Sequence, residues 1–112
     1  MSETSLRIDK WLWFTRLAKS RSLAARLCAE GLVSVGGATV SKPNHAVRVG
    51  DVVRLPQGRQ WRTVRVLALG ARRGPAAEAQ GLYEEAAPPQ PLRERLADWE
   101  PLLVDAADAD LR

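Results

Sequence analysis

The side chains best equipped for chemistry in this chain are cations. Arg16, Lys19, Arg21 and Arg26 fall in one short stretch around Ser20, with Arg7 and Lys10 before it and Lys42 after it. Guanidinium groups hold phosphate oxygens through paired N–H donors, and ammonium groups act on them as point charges. Ser22 and Arg26 are four residues apart and share one face of a helix. Either Ser20 or Ser22 suits the start of that helix, where free backbone N–H groups add to an anion cradle. The same spacing also fits a basic helix that serves only solubility, so the cations alone leave both readings open.

Other chemistries find less support. One cysteine, Cys28, and one histidine, His45, are too few for a four-ligand zinc site. No glycine-rich phosphate loop ends in Gly-Lys-Ser/Thr, and no nucleophile has a nearby histidine. No metal, cofactor or catalytic residue is therefore expected, and the chain does not read as an enzyme. Cys28 follows Leu27 in a helix-like run, which predicts a buried, inert thiol. Trp11, Trp13, Phe14 and Trp61 have the shape of base-stacking platforms. Trp11 and Phe14 lie three apart among apolar neighbours, however, and core packing is the expected role of the group. Asp9 is expected to form a salt bridge with a neighbouring cation.

The charge distribution extends the case. Residues 1–75 carry fourteen Lys and Arg against four Asp and Glu, a net of +10; residues 76–112 carry three against nine, a net of −6. The overall +4 conceals a strongly basic body and an acidic tail. Such a body attracts polyanions, and nucleic acid is the commonest in a cytoplasm. Arg7, Asp9 and Lys10 interrupt the N-terminus before a long apolar stretch develops, so neither signal peptide nor membrane span is expected and a cytoplasmic location is the default.

The pattern of apolar residues supplies the elements that must position these cations. Leu6 to Ala18 predicts a helix that is apolar around most of its circumference, hence one packed on two sides. A second helix runs to about Glu30, with Leu23, Ala24, Leu27 and Cys28 on its buried face and Gly31 ending it. Val33 to Val35, Gly36-Gly37 and Ala38 to Ser41 read as a hairpin. Val52 to Leu55 and Trp61 to Leu69 read as two further strands. Gly74-Pro75 opens a third helix that ends near Glu85 and carries Tyr83. Pro88, Pro89 and Pro91 mark a linker; one or two helical turns over Leu92 to Trp99 and a polar end from Asp105 follow. The class is α+β: two N-terminal helices and a β-hairpin continuing into a small antiparallel sheet and a further helix, in one domain of 112 residues.

Leu6-Arg7-Ile8-Asp9-Lys10-Trp11-Leu12, Arg16, Lys19-Ser20-Arg21 and Ala25-Arg26 resemble the opening of the RNA-binding domain named after small-subunit ribosomal protein S4. Glu30 to Gly37, Lys42-Pro43 and Val49-Gly50-Asp51 fit its hairpin and the turn that follows. Arg72-Arg73-Gly74-Pro75-Ala76, Glu78-Ala79 and Leu82-Tyr83-Glu84-Glu85 are similar to the bacterial heat shock protein 15 family. The resemblance implies an α-L motif, two helices and a hairpin that grip structured RNA. It also implies a large ribosomal subunit, with its ribosomal RNA, as the partner when a nascent chain still attached to transfer RNA blocks it. Carried over residue by residue, the RNA contacts are Arg7, Lys10, Arg16, Lys19, Ser20, Arg21, Arg26 and Lys42, while Arg59 and Arg93 lie outside the set. The domain spans 6–86, and 87–112 is an acidic, proline-containing tail; removal of residues 88–112 should leave the fold intact. Relatives usually carry Asn-Gly where this chain has Gly36-Gly37, and end in a basic extension that this tail does not match. A monomer is expected, and DNA or general nucleic-acid binding is the alternative to ribosome specificity.

Overall fold

The computed structural model describes residues 4–92. The helical turns expected near Trp99 and the polar end from Asp105 lie outside the described residues, as does Arg93. The first helix is shorter than its apolar run. Leu6–Arg7 form a strand, β1, paired antiparallel with β4, Ala46–Val47, and helix α1 occupies only Ile8–Phe14. At the far end the Thr15 hydroxyl donates to the carbonyls of Trp11 and Leu12, at 2.9 and 3.1 Å. Such local bonds compete with continuation of a helix, and Arg16 then turns the chain with φ at 62°.

Helix α2, Arg21–Ala29, starts at Ser20, whose Oγ accepts the Leu23 N–H at 3.0 Å. It buries Leu23, Ala24, Leu27 and Cys28 as the spacing predicts. The hairpin of β2, Ser34–Val35, and β3, Ala38–Thr39, closes through Gly36 and Gly37 with φ of 60° and 86°. Positive φ at both central residues matches the right-handed twist of the flanking strands, which explains the two glycines. Long strands β5, Val52–Gln57, and β6, Gln60–Val66, follow, and with a last strand β7, Tyr83–Pro91, the sheet is ordered β3-β2-β5-β6-β7.

The third helix also departs from expectation. Helix α3 covers only Ala76–Gln80, and Tyr83–Pro91 form the edge strand β7, antiparallel to β6. Tyr83 therefore sits in a strand. Glu84 and Glu85 find partners across the ladder, with Arg65 at 3.1 Å and Arg62 at 2.6 Å. These partners lie some twenty residues earlier in the chain, beyond the reach of a local helix rule. Pro88, Pro89 and Pro91 are not a linker: an edge strand tolerates proline because it can leave one row of backbone groups unpaired. The strand crosses the boundary expected after residue 86. Leu92 then closes the core at 7% exposure, and its N–H donates to the Arg59 carbonyl at 2.9 Å.

Between helices and sheet, Ile8, Trp11, Leu12, Leu27, Val53, Leu55, Val64 and Val66 form one buried cluster. Trp11 is fully buried, and its indole N–H donates to the Ala68 carbonyl at 3.0 Å, so the largest core side chain leaves no polar atom unpaired. Phe14 is buried as well, while Trp13 and Trp61 are half-buried. Cys28 is a free, buried thiol. Burial, and secondarily the charge of Asp9, push its pKa from 9.0 up to about 12.

Two outcomes follow. Leu92→Ala is expected to lower stability by about 2–3 kcal/mol in urea unfolding, the usual cost of a buried leucine, whereas a linker leucine would show no change. Because the folded thiol holds its proton more tightly than the unfolded one, the contribution of Cys28 to stability is complete below about pH 9. It is lost progressively as pH rises toward 12. Unfolding midpoints measured across that window should fall, and Cys28→Ala should flatten that part of the fall.

Candidate nucleic-acid interface

Asp9 organises the first group of cations. Its carboxylate is 4% exposed and accepts two bonds from Arg7, from Nε at 3.1 Å and Nη2 at 3.0 Å. Arg21 Nε approaches the same carboxylate at 3.6 Å. The two guanidiniums stay 49% and 43% exposed, so one buried acid holds two solvent-facing cations side by side. The expected salt bridge of Asp9 is present, with Arg7 and Arg21 as partners. The start of α1 is closed to ligands: the Ile8 and Asp9 N–H groups donate to the carbonyls of His45 at 2.7 Å and Pro43 at 3.2 Å.

A second group surrounds the connection between α1 and α2. Arg16 occupies the left-handed region and donates from Nε to the Gly74 carbonyl at 2.7 Å. Arg73 donates from Nε to the Trp13 carbonyl at 3.2 Å and from Nη2 to the Lys19 carbonyl at 3.3 Å. Its guanidinium also lies 5.8 Å from the Trp13 ring centroid. The connection is thus tied down from residues nearly sixty positions away. Burial first, and the positive charge of Arg16 second, lower the Arg73 pKa. Two guanidiniums that oppose each other's charge favour an anion beside them.

Arg16, Lys19 and a third basic residue, Arg59, line one open cleft of about 500 Å³. Gln57, Gly58 and Arg59 of the β5–β6 turn line it, as do the largely buried Leu17, Leu23 and Leu27. Arg59, expected to lie outside the contact set, is thus placed beside Arg16 and Lys19 in the lining of one cleft. Of the other predicted contacts, Ser20 uses its oxygen as the α2 cap. Lys10 places Nζ 5.7 Å from the Phe14 ring, and Arg26 and Lys42 are exposed. None of these last three lines the cleft. No spacing rule within the chain links Arg59 or Arg73 to Arg16; the only local signal is the turn at Gly58, which puts Arg59 at the tip of a hairpin.

The backbone of Arg16 separates function from stability. Glycine adopts φ near 62° without strain, which offsets the loss of the Gly74 bond at about 1 kcal/mol. Arg16→Gly should therefore unfold within about 1 kcal/mol of the parent while RNA affinity falls several-fold. A large drop in stability with affinity unchanged would show that Arg16 serves the fold alone.

Comparison with known proteins gives the same frame. The S4 domain model matches residues 6–53. Heat shock protein 15 of Escherichia coli K12 is 42% identical over 92 residues, covering 82% of this chain and 68% of the relative. The RQC P-site tRNA stabilizing factor of Halalkalibacterium halodurans is 36% identical over 61 residues, 54% of this chain and 68% of that one. The solved structure of Vibrio cholerae heat shock protein 15, described as trimeric, superposes with a TM-score of 0.70 at 38% identity. It covers 74% of this chain and 83% of that one. With an S4 domain at its start and this identity along most of its length, the chain belongs to the heat shock protein 15 family.

Proposed function

We propose that the chain binds structured RNA through the α1–α2 face, and that its working partner is ribosomal RNA of the large subunit. The observation that carries this reading is the pair of exposed guanidiniums on the buried Asp9, beside a basic connection fixed by Arg73 and Gly74. Cations held from behind in this way lose little freedom when they meet phosphate, so more of the attraction appears as affinity. Contacts carried over from the family resemblance remain Arg7, Lys10, Arg16, Lys19, Ser20, Arg21, Arg26 and Lys42, and Arg59 and Arg73 join them here on geometry. The protein acts by binding, with no chemical step.

The name of one relative, a P-site tRNA stabilizing factor, supports a ribosomal setting. Within it, the proposed role is rescue or recycling of large subunits blocked by a nascent chain on transfer RNA, in the cytoplasm. Among the described residues no helix is long and apolar enough to cross a membrane. The binding form proposed is a monomer; sedimentation of the free protein distinguishes this from a trimer. Phosphate contacts discriminate weakly between RNA and DNA, so general nucleic-acid binding is the competing reading.

Sedimentation of a tagged copy from cells, with crosslinking to identify the RNA, tests both readings. Association with the large subunit is expected, increased when peptidyl-transfer RNA is trapped there and abolished by Arg21→Glu with the helices retained. In a purified system about six phosphate contacts would give a slope on the order of −4 to −5 for log K against log salt. Migration with free DNA or messenger RNA, and never with subunits, would replace ribosome specificity by the general reading.

A further inference from the structure

We propose that Trp13 is a stacking platform for one unpaired base of the bound RNA, set between the two groups of cations on the α1–α2 face. The proposal rests on the RNA-binding reading and adds to it the kind of RNA that is recognised.

The aromatic side chains divide by burial. Trp11 is fully buried and Phe14 is 4% exposed, whereas Trp13 is only half-buried. Trp61 is half-buried too, but it packs against the hydrophobic core. Among the described residues Trp13 is the one tryptophan outside both the core and the side chains packed against it. A core role therefore accounts for Trp11 and Trp61 and leaves Trp13 unexplained. Its ring has an aromatic and a cation as neighbours. The Phe14 ring lies 6.0 Å away, tilted by 37°, and the Arg73 guanidinium lies 5.8 Å from the indole centroid.

Position gives this ring its meaning. Trp13 is four residues beyond Asp9 in α1, one turn further along the same helical face. Asp9 holds the exposed guanidiniums of Arg7 and Arg21. Beyond the end of α1 stand Arg16 and Lys19, and Arg73 bonds the carbonyls of both Trp13 and Lys19. Lys10, three residues before Trp13, neighbours it on the helix. Duplex phosphates alone need only the cations. A half-exposed tryptophan among them suits a ligand with a flat apolar part as well as a charged one. Bases splayed from a loop or bulge are commonly stacked on aromatic side chains, and every base has a π-face to offer. The surroundings of the ring are also fixed before RNA arrives, because two backbone carbonyls hold the Arg73 guanidinium beside it. Stacking then costs little additional ordering.

The test compares RNA hairpins by fluorescence anisotropy with the full chain. Two are identical except for one bulged adenosine in the stem, and a third carries an abasic site at the bulge. The bulged hairpin should bind roughly tenfold more tightly than the paired one, within what one stacked base contributes. The abasic bulge should lose most of that gain, which separates stacking from the bend that a bulge puts in the helix. Trp13→Leu keeps the backbone carbonyl that Arg73 binds. It should reduce the preference to about twofold or less, with affinity for the paired hairpin within about twofold of the parent. Trp13→Phe retains an aromatic ring and should keep a several-fold preference. Trp61→Leu, on the sheet, should leave the preference in place. Equal binding of bulged and paired hairpins by the parent would overturn the proposal while the RNA-binding reading stands, and that comparison needs no variant to fold. So would a preference kept by the abasic bulge, or one that survives Trp13→Leu. Failure to bind any of the hairpins would be a different result, sinking the RNA-binding reading itself and this proposal with it.

Discussion

A buried carboxylate in a small domain must be paired, and how Asp9 is paired organises the N-terminal half of this protein. Its side chain is 4% exposed, so an uncompensated charge there would cost several kcal/mol. Arg7 from β1 and Arg21 from the first turn of α2 meet that demand together. The backbone of the same residue is tied to the Pro43 carbonyl, in the loop that leads into β4. One residue therefore joins the first strand, both helices and the loop beyond the hairpin. The attraction between an exposed guanidinium and a carboxylate is worth little alone, on the order of 1 kcal/mol or less. The cost of leaving Asp9 bare is what holds the two arginines on one side of the molecule.

The α1–α2 connection follows a similar logic with backbone carbonyls in place of a carboxylate. Trp13 and Lys19 flank a non-helical turn, and their carbonyls are satisfied by one arginine, Arg73. Arg16, at a φ that most residues avoid, is held by the Gly74 carbonyl. Residues in such conformations persist where surrounding structure over-determines them, and they cluster at binding sites. The 73–74 segment thus acts as a clamp on the connection, and Arg16 and Lys19 both line the cleft. The segment that carried the specific family resemblance, Arg72 to Glu85, includes this clamp.

The C-terminal part of the sheet contributes to the lining of the same cleft. β7 pairs with β6 through an edge that includes three prolines, and Leu92 returns to the hairpin tip at Arg59. The ion pair of Arg62 with Glu85 raises the Arg62 pKa, chiefly through the hydrogen bonds between them, with burial opposing it. Arg62 in turn holds Gln57. The acidic residues at the start of β7 are therefore more than a counterweight to the basic body: two of them bind the last strand to the sheet that carries the cleft.

By itself the sequence determined the α+β class, the α2 cap at Ser20, the Gly36-Gly37 turn, the buried state of Cys28 and the presence of a basic α1–α2 face. Each of these is set by residues within a few positions of one another, where helical period, capping and turn chemistry operate. Local pattern failed where the deciding partner was distant. Leu6 and Arg7 read as helix because the strand they pair with lies forty residues on. Glu84 and Glu85 read as helix because Arg62 and Arg65 are absent from any local window. For the same reason nothing local places Arg59 or Arg73 near Arg16: the β5–β6 turn comes to line a cleft with Arg16, and Arg73 comes to bind the Trp13 and Lys19 carbonyls, only in the folded chain. Local patterning tells which residues are cations on a helix or a turn, but the distances between cations on different elements are set by how the elements pack.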